Sequence, residues 1–143
     1  MKVSTKGRYA LRIMIDLAQH NEGEAISLKE IAERQEVSAK YLELIISILN
    51  KAGFVASTRG KSGGYRLTRD PYQYTVGAIL KLTEGSLAPV ACLGSGESTC
   101  QRADHCVALP MWKNLDHIID EYLESVTLAD LLEQAAQNHD CGI

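Results

Sequence analysis

Three cysteines, Cys92, Cys100 and Cys106, fall within fifteen residues, separated by seven and five residues, with Gly94 and Gly96 in the first gap and a fourth thiol, Cys141, far downstream. Three clustered thiols cannot pair off as disulfides, and in a sequence without an export signal such a cluster reads as metal-binding or redox-active. Thiolates are soft ligands that favour zinc, copper(I) or iron-sulfur clusters, and glycines let backbone amides approach the sulfurs closely. Structural zinc uses paired cysteines about two to four residues apart, and neither gap fits. The competing reading is three unrelated free cysteines in a loop, against which the crowding itself argues. Of the histidines, His105 neighbours Cys106, whereas His20, His117 and His139 read as surface or boundary residues.

A second group is basic. Arg59, Lys61, Arg66 and Arg69 occur with no acid between them, and Gly60, Gly63 and Gly64 remove side chains that would hold the backbone away from phosphates. Just upstream, Ser38, Lys40, Tyr41 and Glu43 stand at the start of an apolar-periodic segment, the position whose side chains meet base edges when a recognition helix enters the major groove. Lys40 and Tyr41 suit phosphates, Glu43 suits cytosine N4, and Arg59 suits insertion into a minor groove. A nucleotide-phosphate loop is a weak reading of Arg59 to Gly64, because the segment lies between two strand-like runs and not between a strand and a helix.

Both groups need elements to hold them. Ala10, Ile13, Met14, Leu17 and Ala18 recur at helical spacing behind Ser4 or Thr5, predicting a helix to about Gln19. Ser27 to Glu30 has capping-box spacing, with Leu28, Ile31 and Ala32 as its stripe. Glu36-Val37 breaks that helix, and Ser38 caps another that carries Leu42, Ile45 and Leu49 to Ala52-Gly53. Phe54 to Thr58 and Tyr65 to Thr68 read as two strands around the glycine-rich loop, and Thr75 caps a helix with Val76, Ile79 and Leu80 that ends near Gly85. Periodicity is lost from Leu87 to about Ala108. It resumes at Pro110, where Met111, Leu115, Ile118, Ile119, Tyr122, Leu123 and Val126 trace one apolar face, before a short capped helix from Thr127 and a frayed end. Helix-turn-helix packing alone is a common way to fold; the basic hairpin in the expected place is what points to DNA.

The fold class that follows is mainly α with a small β-hairpin: a winged helix-turn-helix domain plus a long C-terminal dimerisation helix. It divides into a DNA-binding domain over 1–85, a cysteine-bearing loop over 86–109, a dimerisation helix over 110–126, and a short helix and flexible tail over 127–143. With 143 residues, 45% hydrophobic and 23% charged, the chain is neither disordered nor collagen-like, and no apolar run is long enough to span a membrane. Its net charge of −3 conceals a polarity, since residues 1–70 carry +4 and residues 71–143 carry −7. A basic half joined to an acidic half suggests a polyanion-binding module with a second module attached. The basic N-terminus leads into amphipathic sequence with Arg12 and Asp16 and lacks a signal-peptide core, so a soluble cytoplasmic protein is expected.

The residues resemble one known family, the iron-sulfur cluster assembly regulator (IscR-like) transcription factors. The stretches that carry the resemblance are Ser4 to Ala10, Tyr41-Leu42-Glu43, Arg59-Gly60 with Gly63-Gly64-Tyr65, the three cysteines, Trp112 and Val126-Thr127-Leu128, in the family's order over residues 1 to about 133. The resemblance implies a non-enzymatic homodimeric winged-helix regulator of a palindromic operator in double-stranded DNA, without a membrane role. It also implies Cys92, Cys100 and Cys106 as ligands of an iron-sulfur cluster, [2Fe-2S] in preference to [4Fe-4S]. Other branches respond to nitric oxide, or lack the cysteines and control cysteine metabolism, which leaves a redox-responsive repressor acting without a cluster as the alternative. The sequence departs from the assembly regulators where a histidine should follow the third cysteine by three positions, since Leu109 stands there, and position 8 is Arg8 where the nitric-oxide branch has a carboxylate. Candidates for a fourth ligand are then His105, Cys141, or Asp16 or His20 from a partner subunit. An electron carrier and a protein-interaction adaptor are the readings from other classes, and the basic wing argues against the first.

Overall fold

Five helices begin where a hydroxyl can take an otherwise orphan backbone amide. In the computed structural model, which describes residues 3–94, 101 and 103–137, helix α1 spans Thr5–Gln19, and Ser4 Oγ accepts from Gly7 N at 3.1 Å. Ser27 does the same for α2 (Leu28–Gln35), Ser38 for α3 (Ala39–Lys51) and Thr75 for α4 (Val76–Glu84). Helix α5 covers Leu109–Ser125 and α6 covers Leu128–Gln137. At the start of α6 the cap is reciprocal: Asp130 N donates to Thr127 Oγ1 at 3.1 Å, and Thr127 N donates to Asp130 Oδ2 at 2.9 Å. The hairpin consists of β1 (Val55–Thr58) and β2 (Gly64–Leu67), antiparallel, with Val55 opposite Leu67 and Thr58 opposite Gly64.

The main core forms where the stripe of α1 (Ala10, Ile13, Met14, Leu17) meets Ile31 of α2, the Leu42/Ile45/Ile46/Leu49 stripe of α3, Ile79 of α4 and Val55 of β1. Each fully buried aliphatic side chain of this set contributes about 1.5 to 3 kcal/mol by leaving water. Two long-range pairings complete the module. Ile26 forms an isolated bridge to Tyr65, with N–H···O contacts of 2.9 and 2.8 Å, and so ties the segment before α2 to the wing. Thr75 pairs with Thr127: Val76 N donates to Val126 O at 2.8 Å and Leu128 N to Tyr74 O at 3.0 Å. That pairing returns the chain from α5, seats fully buried Leu128 in the main core and lays α6 against α1. Helix α6 therefore packs on the first helix and is part of the same body.

Among the described residues, no helix is long and apolar enough to cross a membrane.

Candidate nucleic-acid interface and thiol loop

Helix α3 is presented by the turn that precedes it. Helix α2 stops at Glu36, a non-glycine residue at φ 52° whose amide points back to Ala32 and Glu33 carbonyls, and Val37 N donates to Ala32 O at 3.1 Å. With Leu42, Ile45, Ile46 and Leu49 turned inward, the face left to solvent is Lys40, Glu43, Leu44 and Ser47. Ser38 is itself exposed and holds the Tyr41 amide. The Tyr41 ring is half-buried and meets the Tyr9 ring edge-on at 5.7 Å. Arg12 stacks over that Tyr9 ring at 4.7 Å and donates to both Gln35 Oε1 (3.0 Å) and Gln35 O (2.9 Å). Tyr41 thus anchors α3 to α1 and also borders the outer surface of α3.

The wing carries Arg59, Gly60 and Lys61 at its exposed tip. Gly60 lies at φ 111° with open space around its α-carbon, a conformation that suits glycine. Gly64 serves a different purpose: a side chain there would meet Ile26 O at 2.1 Å, so its bareness allows the Ile26–Tyr65 bridge to form. At the base of the wing the buried Tyr74 hydroxyl accepts from Thr68 N (2.9 Å) and Arg69 N (3.0 Å) and donates to Phe54 O (2.8 Å). Arg69 lies over the Phe54 and Tyr74 rings at 5.3 and 5.6 Å, which fixes it at the base and away from the tip. No ion pair among the described residues involves Lys40, Glu43, Arg59, Lys61 or Arg66, so the charge of this surface is available to an outside polyanion.

The frame behind the interface contains a buried charge that the sequence reading did not find. Asp16 is 1% exposed, and its carboxylate accepts from Arg34 Nε (3.0 Å), Arg34 Nη2 (2.8 Å) and Gln35 Nε2 (2.8 Å). Burial pushes its pKa up, but the hydrogen bonds from Arg34 and Gln35 and the Arg34 charge outweigh it, and the net shift is downward. This clamp joins α1 to the end of α2, directly before the turn that aims α3. An aspartate between the apolar positions of α1, Ile13 and Leu17, with Arg34 downstream, was the signal available in the sequence.

Helix α5 divides its apolar stripe between two surfaces. Leu123 and Val126 pack against Val76, Leu80 and Leu87, whereas Met111, Ile118 and Tyr122 are at least half exposed. Lys81 of α4 holds the helix in place through Asp120 (2.6 Å) and Glu124 (2.9 Å), and Thr75 Oγ1 donates to Glu124 at 2.8 Å.

The two described thiols precede that helix in the chain, and the turn that carries Cys92 lies near its middle, where Leu93 and Gly94 share a cleft with Asp116, Ile119 and Asp120. Cys92 lies in a single 3₁₀ turn, Ala91–Leu93, pinned by buried Leu93; Cys106 follows a second such turn, Ala103–His105, and its carbonyl accepts from Leu109 N at 3.3 Å. Both are half-buried and unpaired. Cys100 and Cys141 lie outside the described residues, among which no group of three or more His, Cys, Asp and Glu side chains is assembled. The donor set fits an iron-sulfur group in kind, because two accessible unpaired thiols stand on either side of the sequence segment that carries a third. Leu109 is buried at the head of α5, which accounts for an apolar side chain in that place. Asp16 is committed to its clamp. His20 Nδ1 lies 2.9 Å from Asp16 O, and His105 is exposed.

The profile of Rrf2, described as an iron-dependent transcriptional regulator, matches residues 3–134. The chain belongs to the Rrf2 family. Among Rrf2-type relatives, the HTH-type transcriptional regulator IscR of Vibrio campbellii is 38% identical over 133 residues, covering 93% of this chain and 78% of the relative. IscR of Sodalis glossinidius is 41% identical over 132 residues, 92% of this chain and 79% of the relative. Two solved structures are similar: IscR of T. potens (44% identity, TM-score 0.77, covering 94% of this chain and 88% of that one) and CymR of B. subtilis, titled the global cysteine regulator (40% identity, TM-score 0.77, covering 94% and 98%). This Rrf2 chain is a DNA-binding transcriptional regulator of a bacterial family and has no enzymatic role. The winged-helix class expected from the sequence is the fold observed.

Proposed function

We propose that this Rrf2 regulator acts as a cytoplasmic homodimer on a palindromic operator and reports iron-sulfur cluster or redox status through Cys92, Cys100 and Cys106. The observation that carries the reading is the junction at Cys106: the last thiol of the segment stands three residues before the first residue of α5, and Leu109 N bonds directly to its carbonyl. In this proposal residues 1–85 form the DNA-binding unit, 86–109 the sensing loop, 110–126 the dimer helix, and 127–143 the closing helix and tail. Ser38, Lys40, Tyr41 and Glu43 face the major groove, and Arg59, Gly60, Lys61 and Gly64 form the wing contact. Two copies apposed through Met111, Ile118 and Tyr122 would set two recognition helices at a fixed spacing, which is what a palindrome requires.

An iron-sulfur group, when bound, supplies thiolate-held iron whose gain, loss or oxidation changes the constraint on the loop. The chain's own part is mechanical. Holding Cys106 constrains the turn that leads into α5 through its carbonyl bond to Leu109 N; α5 is joined through Lys81 to α4, and α4 packs on α1, the helix that the Asp16 clamp ties to α2. A shift at the head of α5 thereby reaches the spacing of the α3 helices. Anaerobically purified protein should absorb between about 300 and 500 nm and show iron and sulfide in native mass spectrometry, with [2Fe-2S] the favoured stoichiometry. A colourless, iron-free protein under those conditions overturns the cluster reading.

The second reading is a regulator of cysteine metabolism, or a nitric-oxide or redox-responsive repressor, using bare thiols. Similarity to CymR and the leucine at position 109 favour it. It predicts operator binding that responds to a thiol oxidant with no chromophore present.

A further inference from the structure

Leu44 stands apart from the other large aliphatic residues of its helix. Leu42, Ile45, Ile46 and Leu49 are at most 1% exposed and Ile48 is half-buried, whereas Leu44 is 55% exposed between the outward-facing Lys40 and Ser47. It joins Ser38, Lys40, Tyr41 and Glu43 around a shallow depression of about 600 Å³ on the outer face of α3. It is not among the apolar residues packed on the core, so folding does not explain a leucine there. The face is the one that the proposed function turns toward the major groove, and the inference rests on that reading. On a major-groove floor lined with hydrogen-bond donors and acceptors, the exposed apolar group is the C5-methyl of thymine.

We propose that Leu44 reads a thymine C5-methyl group, making it a specificity residue that works by burial and not by hydrogen bonding. Glu43 and Leu44 are consecutive, about 1.5 Å apart along the helix axis, against a base-pair rise of about 3.4 Å. A cytosine whose N4 donates to Glu43 and the thymine that packs on Leu44 therefore lie within about two base pairs of each other in each half-site. Lys40, one turn earlier on the same face, is placed to take the neighbouring phosphate. Burying one methyl corresponds to about a fourfold gain per half-site, or about fifteenfold for a two-fold operator.

The test uses the full chain. A preferred duplex is first selected from a randomised pool, and each thymine in it is then replaced in turn by deoxyuridine, which keeps the base pair and removes only the methyl. The expected result is one symmetric pair of thymines whose replacement lowers affinity about fifteenfold when both are changed. In Leu44→Ala and Leu44→Gln that loss should shrink to less than twofold, while Leu44→Met retains most of it; the circular dichroism of each variant should match the parent, as befits an exposed position. Selection of a sequence that is indifferent to every deoxyuridine overturns the Leu44 assignment and leaves DNA binding intact. A methyl dependence that persists unchanged in Leu44→Ala assigns the contact to another residue. Failure to select any sequence overturns the underlying DNA reading, and the assignment falls with it.

Discussion

Removing Arg34 should destabilise the regulator by about 3 kcal/mol at neutral pH, with a pH signature that identifies the cause. Asp16 is almost completely buried and takes two hydrogen bonds from Arg34 and one from Gln35. In Arg34→Ala the carboxylate keeps only the Gln35 hydrogen bond and the His20 ring 3.7 Å away, in a site whose burial favours the neutral acid. Breaking a buried pair in this way costs about 3 to 5 kcal/mol, and the low end applies because Gln35 remains and Arg34 is itself one-third exposed. In the parent the folded-state pKa of Asp16 is depressed, so its contribution is present above the unfolded value of about 4 and is lost as pH falls through the folded one. In the variant burial raises the pKa, so the penalty is full at neutral pH and is relieved as acid protonates Asp16. The difference in unfolding free energy between the two proteins should therefore be flat near neutral pH and shrink through the acidic range in which Asp16 protonates first in the variant and then in the parent. Urea denaturation of both, at several pH values and constant ionic strength, reads this directly. A loss under about 1 kcal/mol, or a difference that does not vary with pH, would refute the claim that a buried ion pair holds α1 to α2.

Tyr74→Phe leaves the Thr68 and Arg69 amides and the Phe54 carbonyl without their shared partner and should cost about 2 to 3 kcal/mol by the same denaturation assay. Arg59→Ala should weaken operator binding by about 1 to 3 kcal/mol per half-site and flatten the salt dependence of affinity by about two units of slope, one for each subunit, measured by fluorescence anisotropy across salt concentrations. Ile118→Glu places a charge on an exposed apolar position of α5 and should give folded monomers in sedimentation velocity; a persisting dimer would put the interface elsewhere.

The helix starts were readable because each depends on a few adjacent residues. Ser4, Ser38 and Thr75 announce their helices by one hydroxyl ahead of an apolar stripe, and the observed caps use those hydroxyls. What escaped was non-local. The Ile26–Tyr65 bridge joins backbone groups of residues that share no local pattern, and Leu128 enters the main core only because Thr127 pairs with Thr75 far upstream. The apolar run of α5 was legible as a stripe, but its division between α4 and solvent depends on where Lys81 fixes the helix. On the recognition helix, Leu44 could have been found from the pattern alone, since it falls outside the 42/45/46/49 stripe and a leucine off the stripe faces water.

Coupling between the thiol segment and the DNA interface is read from the operator affinity of the anaerobically purified protein set beside that of Cys92→Ala under the same conditions. The parent should carry a chromophore and the variant none, and their affinities should differ by about tenfold or more, within the range typical of coupling between two sites. Equal affinities for the chromophore-bearing parent and the colourless variant would contradict it.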